Sequence, residues 1–219
     1  MPVPFKKDFN ITPSPSDMKE RDEILQNSYN NLIYFGRAFL PNDFLKKSES
    51  APFHYQIAKE LITTKPGARI CNIIPRGHGK SVMAKAAIMH KLCFSKTDEQ
   101  HFIAWVSEEQ GQAIDHLKYL RSHFENNKMI KYYFGTMDGG SVGKRWTEKD
   151  IVTAKGDRMI AKGTSQRLRG RAEVDVRYTG IVLDDFESEL NTKTPERRSE
   201  IKKWIVSTVY PALEETPGN

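Results

Sequence analysis

One stretch, Arg69 to Leu92, limits what this chain can fold into more than any other. The apolar residues Ile70, Cys71, Ile73 and Ile74 stop at Pro75, and a loop with glycines at Gly77 and Gly79 follows. Lys80 and Ser81 then open a segment in which Val82, Ala86, Met89 and Cys93 fall on one helical face. The order is strand, glycine loop, Lys-Ser, helix, which is the phosphate-binding arrangement. Its residue types follow from that task. Glycines let backbone N–H groups turn inward around a β-phosphate, and the helix N-terminus adds its positive dipole end. Lys80 reaches the β- and γ-phosphates, and the Ser81 hydroxyl is suited to Mg²⁺.

The stretch departs from the usual pattern at Ile74, where a glycine is expected, and at Arg76, inside the loop. Arg76 has two open readings, a second cation beside the phosphates or a solvated loop charge. With 219 residues, 38% hydrophobic, the chain is long enough and apolar enough for one α/β domain with an N-terminal extension. No apolar run is long enough to span a membrane, and MPVPFKKDFN lacks the apolar core of a secretory signal. Two cysteines in apolar contexts, Cys71 and Cys93, point to a reducing cytosol. A formal charge of +6 permits an anionic partner.

Met1 to Asp17 carries four prolines and reads as a mobile arm. From Met18, residues Leu25, Tyr29, Leu32, Ile33, Gly36 and Phe39 recur at helical spacing, predicting one amphipathic helix that Pro41 stops. A charged link, Lys46 to Glu49, separates this extension (1–50) from the core (51–219). A second helix starts at Pro52, with Ile57, Ala58, Leu61 and Ile62 inward. On it, Tyr55 beside Gln56 suits an adenine ring, the amide reading the N6/N7 edge; the alternative is a polar helix start facing water. His101 to Val106 reads as a buried parallel strand, with Ser107 capping the next helix, whose inner face is Ala113, Leu117, Leu120 and Phe124. His116 and His123 on that helix lack a carboxylate or cysteine to complete a metal set, which makes them solvated or core-edge residues. Lys155-Gly156-Asp157, flanked by apolar runs, predicts a β-hairpin.

Between Ile151 and Gly180 there are seven Lys/Arg against three Asp/Glu, including Arg167, Arg169 and Arg171 in a glycine-bounded loop. Such a loop suits DNA phosphates, a nucleotide on a neighbouring subunit, or plain solvent. The second strong feature is Gly180 to Leu183 followed by Asp184 and Asp185, then Phe186 and Glu187. A carboxylate at a strand end beside a phosphate loop is where Mg²⁺ finds a protein ligand, and a second one orients the attacking water. Alternation along the strand sends Asp184 and Asp185 different ways, which favours Asp184 on the metal and Asp185 or Glu187 on water. Thr194-Pro195 starts a last helix whose inner residues are Ile201, Trp204, Ile205, Thr208, Val209 and Leu213.

Together these segments resemble the ATPase domain of the large terminase subunit, the DNA-packaging motor of tailed bacteriophages and related viruses. The likeness runs from Phe53 to Asn219 and is carried by IIPRGHGKS, FIAWVSEEQGQA, RWTEKDIVTAKGDRMIAKGTSQRLRGR, GIVLDDFES and KKWIVSTVYPALEE. It implies an additional-strand (ASCE) P-loop NTPase, with a mainly parallel central sheet flanked by helices. It also implies a ring, typically a pentamer, on the portal vertex of a procapsid in the host cytoplasm. That ring hydrolyses ATP with Mg²⁺ to drive double-stranded DNA inward, and a small terminase subunit is a partner.

Residue by residue, the resemblance gives Pro75, Arg76, Gly77, His78, Gly79, Lys80 and Ser81 to the nucleotide, with Ser81 and Asp184 on Mg²⁺. Arg76 matches the arginine that senses γ-phosphate, Arg169 and Arg171 the source of a trans-acting finger, and Gln56 the adenine position. The family's glutamate directly after the metal aspartate is Asp185 here, so Asp185 and Glu187 share the water-activating role. The coupling strand and the nuclease domain are expected to lie beyond this chain, which is then an ATPase-only piece that does not cut DNA. Two other readings compete: a helicase-like nucleic-acid-remodelling ATPase, and a nucleotide-dependent assembly module with weak hydrolysis.

Overall fold

A computed structural model describes residues 18–44, 50–65, 67–96, 98–164, 166–168 and 177–213. The arm before Met18, the link at 45–49 and the loop arginines Arg169 and Arg171 lie outside these residues. The chain is a mixed α/β protein divided into two compact units. One takes in the residues up to Thr64 with Asn72–Phe94 and Asn126–Thr136; the other takes in Lys65–Cys71, Ser95–Glu125 and the residues from Met137 onward.

The first unit is helical. The single helix expected up to Pro41 is instead broken into α1 (Met18–Asn30) and α2 (Leu32–Phe39). Asn31 breaks it, because its side chain accepts the Tyr34 amide at 3.1 Å and offers the backbone an alternative partner. α2 ends at Phe39, just before Pro41 as expected, and Pro41 then opens a further helical turn, α3 (Pro41–Phe44), where its missing N–H is not needed. Gly36 makes room for that turn, since a Cβ there would lie 2.6 Å from the Phe44 ring. The core joins Leu32, Phe35 and Phe39 of α2 to Met89 and Leu92 of α5 (Lys80–Phe94) and Ile130 of α7 (Lys128–Phe134), all fully buried. Aromatic rings bind it together, with Phe94 5.0 Å from Phe134 and Phe39 5.2 Å from Phe134. In α4 (Pro52–Thr63), Ile57 and Ala58 face inward, as their spacing predicts.

The second unit holds a four-stranded sheet in the order β2-β3-β1-β4, made of β1 (Phe102–Ser107), β2 (Asp150–Val152), β3 (Arg158–Gly163) and β4 (Gly180–Leu183). β1 pairs in parallel with β3 and β4, and β2 closes the expected hairpin antiparallel to β3. Gly156 turns that hairpin at φ 106°, a conformation glycine adopts without penalty. Buried Asp157 ties it to the sheet, accepting the His101 amide at 2.9 Å and the Ser95 hydroxyl at 3.1 Å. Asp150 joins the two hairpin strands by a fork from Arg158, at 3.0 and 2.8 Å. Burial pushes its carboxyl up, but the bonds from Arg158 and Arg145 outweigh that and hold it below the usual range.

One sheet face packs on α6 (Gln110–Asn126), whose Ala113, Leu117, Leu120 and Phe124 are fully buried, as predicted. On the other, Ala104, Val106 and Ile160 meet Val209, with Trp204 and Ile205 alongside. These come from α9 (Pro195–Trp204) and the π-helical turn Ile205–Val209 that follows it, after the short α8 (Glu189–Thr192). Thr194 caps α9 by accepting the Arg197 amide at 3.3 Å. Two expectations fail here. Ser107 does not cap a helix: it is the last residue of β1, fully buried, and its hydroxyl has no partner. The strand expected over Ile70–Ile74 carries no ladder, and Ile73 is 90% exposed. An apolar run becomes a strand only with a neighbour to bond its amides and carbonyls, and it has none among the described residues. No helix among the described residues is long and apolar enough to cross a membrane.

Buried His90 supplies a pH test of the helical unit. Its Nε2–H donates to the Ser28 and Tyr29 carbonyls at the end of α1, at 3.1 and 3.0 Å. Burial lowers its pKa from 6.5, against the smaller upward pull of those two carbonyls. Below that pH the unfolded chain therefore binds more protons than the folded one, and stability falls as pH falls. Melting temperature is expected to drop between about pH 7.5 and about pH 5.5 in the wild type, and to drop less in His90→Gln. Equal drops would remove His90 from the account.

Candidate functional site

The glycine loop is built by two left-handed residues. Gly77 has φ 79° and Gly79 has φ 80°, values that cost a residue with a Cβ about 1 kcal/mol or more each. No atom lies within 4 Å of a Cβ placed at Gly77, so conformation rather than crowding selects glycine there. Immediately after, α5 begins at Lys80, and its first bond back to the loop runs from the Met83 amide to the Gly79 carbonyl at 2.9 Å. The amides ahead of Met83 have no partner within the helix, as at any helix start. Lys80 folds back over the loop, its Nζ donating to the Ile74 carbonyl at 2.7 Å. Pro75, Arg76, Gly77 and His78 are exposed, and Gly79, Lys80 and Ser81 half-buried. Loop and helix start thus present free N–H groups and two cations, an arrangement suited to a polyanion.

A neighbouring helix braces this loop through a residue that sequence reasoning passed over. His54, in the first turn of α4, accepts the Ala51 amide on Nδ1 at 3.0 Å. The ring proton therefore sits on Nε2, which donates to the His78 carbonyl at 2.9 Å. His78 in turn bonds the Arg76 carbonyl through Nδ1 at 3.0 Å. Tyr55 and Gln56 follow His54 on the same helix and are exposed; the Gln56 amide lies 3.5 Å from Glu60 Oε1. The only sequence cue to His54 was its third position in the helix, where a side chain reaches back to the preceding amide; Glu or Gln is the usual residue.

In the sheet unit, β4 ends where its pattern predicts, and the two aspartates separate. Asp184 is buried at 8% exposure, while Asp185 and Glu187 are exposed. β4 itself is only half-buried, because it pairs on one side with β1. Asp184 Oδ2 has no hydrogen-bond partner, and His116 Nε2 lies 3.5 Å from it. The His116 ring stacks on Trp105 with centroids 4.5 Å apart. Sequence reasoning placed His116 at the core edge without seeing its contact with Asp184, because nothing in helix spacing reports on a strand so far along the chain. Asp185 takes φ 47°, the one positive value among described non-glycine residues, and its carbonyl accepts the Glu108 amide at 3.0 Å. That bond fixes the turn after β4 against the start of the β1–α6 connection, where α/β sheets bind ligands.

A buried carboxylate oxygen without a donor, as at Asp184 Oδ2, is the kind of atom that a divalent cation satisfies, although no group of three or more His, Cys, Asp or Glu among the described residues is placed to hold a metal ion. The structure gathers Tyr55, Gln56 and Pro75 to Ser81 in the helical unit, and Asp184, Asp185 and Glu187 in the sheet unit. Comparison with known protein families, curated proteins and solved structures finds no match. Asp184→Asn replaces a buried carboxylate whose Oδ2 lacks a hydrogen bond and has His116 Nε2 3.5 Å away, so it is expected to stabilise the fold by about 1 kcal/mol, read as a higher urea midpoint. A lower midpoint would mean that Asp184 is a structural residue.

Proposed function

We propose that this chain is an ATP-hydrolysing P-loop motor domain of the large-terminase kind, coupling MgATP turnover to movement of double-stranded DNA into a procapsid. The observation that carries this reading is the loop itself: two left-handed glycines leading directly into the 15-residue α5, with Lys80 folded over them. In this reading the Gly77, Gly79 and helix-start amides hold the β-phosphate. Lys80 neutralises the β- and γ-phosphates, and Arg76 adds charge at the γ-phosphate. Ser81 and Asp184 hold Mg²⁺, which offsets phosphate charge when bound. Glu187 or Asp185, both exposed, takes the proton from the attacking water. Tyr55 and Gln56 face the base, and Arg169 or Arg171 acts in trans within a homo-oligomeric ring, expected to be a pentamer on the portal. The small terminase subunit is the expected second partner, and the host cytoplasm the place of assembly.

A second reading, a nucleotide-dependent assembly module with weak hydrolysis, rests on one observation. The segment Ile70–Ile74, which should anchor the loop in a sheet, has no ladder among the described residues. Turnover against protein concentration, with and without double-stranded DNA, separates the two. The motor reading expects turnover that rises faster than linearly and is stimulated by DNA. Lys80→Ala is expected to lower it by about a hundredfold or more. Linear turnover indifferent to DNA would favour the module, and turnover unchanged in Lys80→Ala would overturn the phosphate reading itself.

A further inference from the structure

We infer that His54 is a positioning residue for phosphate binding, setting the direction of the Gly79 amide in the glycine loop. The inference rests on the proposed phosphate role of that loop and adds a residue to it. The peptide unit is planar and trans, so the carbonyl of one residue and the N–H of the next point to opposite sides. His54 Nε2 holds the His78 carbonyl at 2.9 Å on the α4 side, and the Gly79 N–H is thereby directed away from α4. The same logic applies one step earlier. His78 Nδ1 bonds the Arg76 carbonyl at 3.0 Å, which turns the Gly77 N–H the opposite way from that carbonyl. The two imidazoles therefore fix the two peptide planes that carry the glycine amides.

What makes His54 fit for this is that both its nitrogens are committed. Nδ1 accepts the Ala51 amide at 3.0 Å, so the neutral ring has its proton on Nε2 and only one face to donate from. The Phe53 ring lies beside it, with centroids 4.1 Å apart, and limits its rotation. A Cβ at Gly79 would come 3.6 Å from His54 Nε2, an ordinary contact, so the brace sits directly against the left-handed residue that it orients. Fixing the donors before the anion arrives removes an ordering cost that binding would otherwise carry. α4 also presents Tyr55 and Gln56, so one helix both braces the phosphate loop and offers side chains for the base.

The test compares His54→Ala and His54→Gln with the wild type. Glutamine retains an acceptor for the Ala51 amide and a donor for the His78 carbonyl; alanine retains neither. Loss of the hydrogen bond to the His78 carbonyl is expected to weaken MgADP binding about fivefold to tenfold in His54→Ala, with His54→Gln restoring most of it. In the ligand-free protein, His54→Ala is also expected to shift the Gly79 amide resonance and speed its hydrogen exchange, with no such change in His54→Gln. If His54→Ala only lowers the melting temperature and leaves MgADP affinity and the Gly79 amide unchanged, His54 is a helix cap and the inference fails. If the wild type binds no MgADP, the phosphate reading fails instead, and the ligand-free Gly79 resonance still decides whether His54 sets the loop.

Discussion

Every α-helix starts with backbone N–H groups that its own turns cannot satisfy, and in this chain those of α5 follow a glycine loop rather than a residue with a capping side chain. A helix start of this kind normally carries Ser, Thr, Asp or Asn to close it, as Thr194 does for α9 and Asn127 for α7. α5 has Gly79 before it and a lysine at its first position. Exposed donors of this sort are tolerable only with water or an anion as partner. The rest of the helical unit works to hold that start in place. α5 is anchored in the core by Ala86, Met89 and Leu92, which are fully enclosed. His54 and Lys80 then each hold a carbonyl of the loop, those of His78 and Ile74.

The sheet unit applies the opposite device. Two of its carboxylates are held by several donors each, Asp157 by three groups around the hairpin and Asp150 by two arginines. Against that background the unpartnered oxygen of Asp184 and the left-handed backbone of Asp185 stand out at one strand end. Strain and unsatisfied polar atoms persist where the surrounding structure over-determines them, and they gather where ligands act. The aligned faces of β1 and β4 explain the arrangement. Alternation puts Ala104 and Val106 on the α9 side, and Trp105 with Asp184 on the α6 side, where His116 waits.

Much of this is legible in the sequence. The apolar period of α6, the six-residue run of β1, the hairpin at Gly156 and the acid-terminated β4 all follow from spacing and turn chemistry, which are local. Legibility failed where a distant partner or a competing local bond decides. Asn31 broke a helix that hydrophobic period alone would continue, because its side chain won the Tyr34 amide. Ile70–Ile74 reads as a strand, yet a strand is a property of a pair, and sequence shows only one member. The roles of His54 and His116 were missed for the same reason. Their meaning lies in a carbonyl 24 residues on and a carboxylate on another element, and neither separation has a periodic signature. A histidine at the third helix position also conceals its capping role, which belongs by habit to Glu or Gln.

The proposed anion cradle is the Gly77–Ser81 backbone, and its amides can be followed one by one. Amide resonances of an isotope-labelled sample would be recorded as inorganic pyrophosphate is added with Mg²⁺. The account predicts saturable downfield shifts centred on Gly77, Gly79, Lys80 and Ser81, absent when Gly77 is replaced by alanine. Shifts spread over surface lysines, with those four amides unmoved, would contradict it.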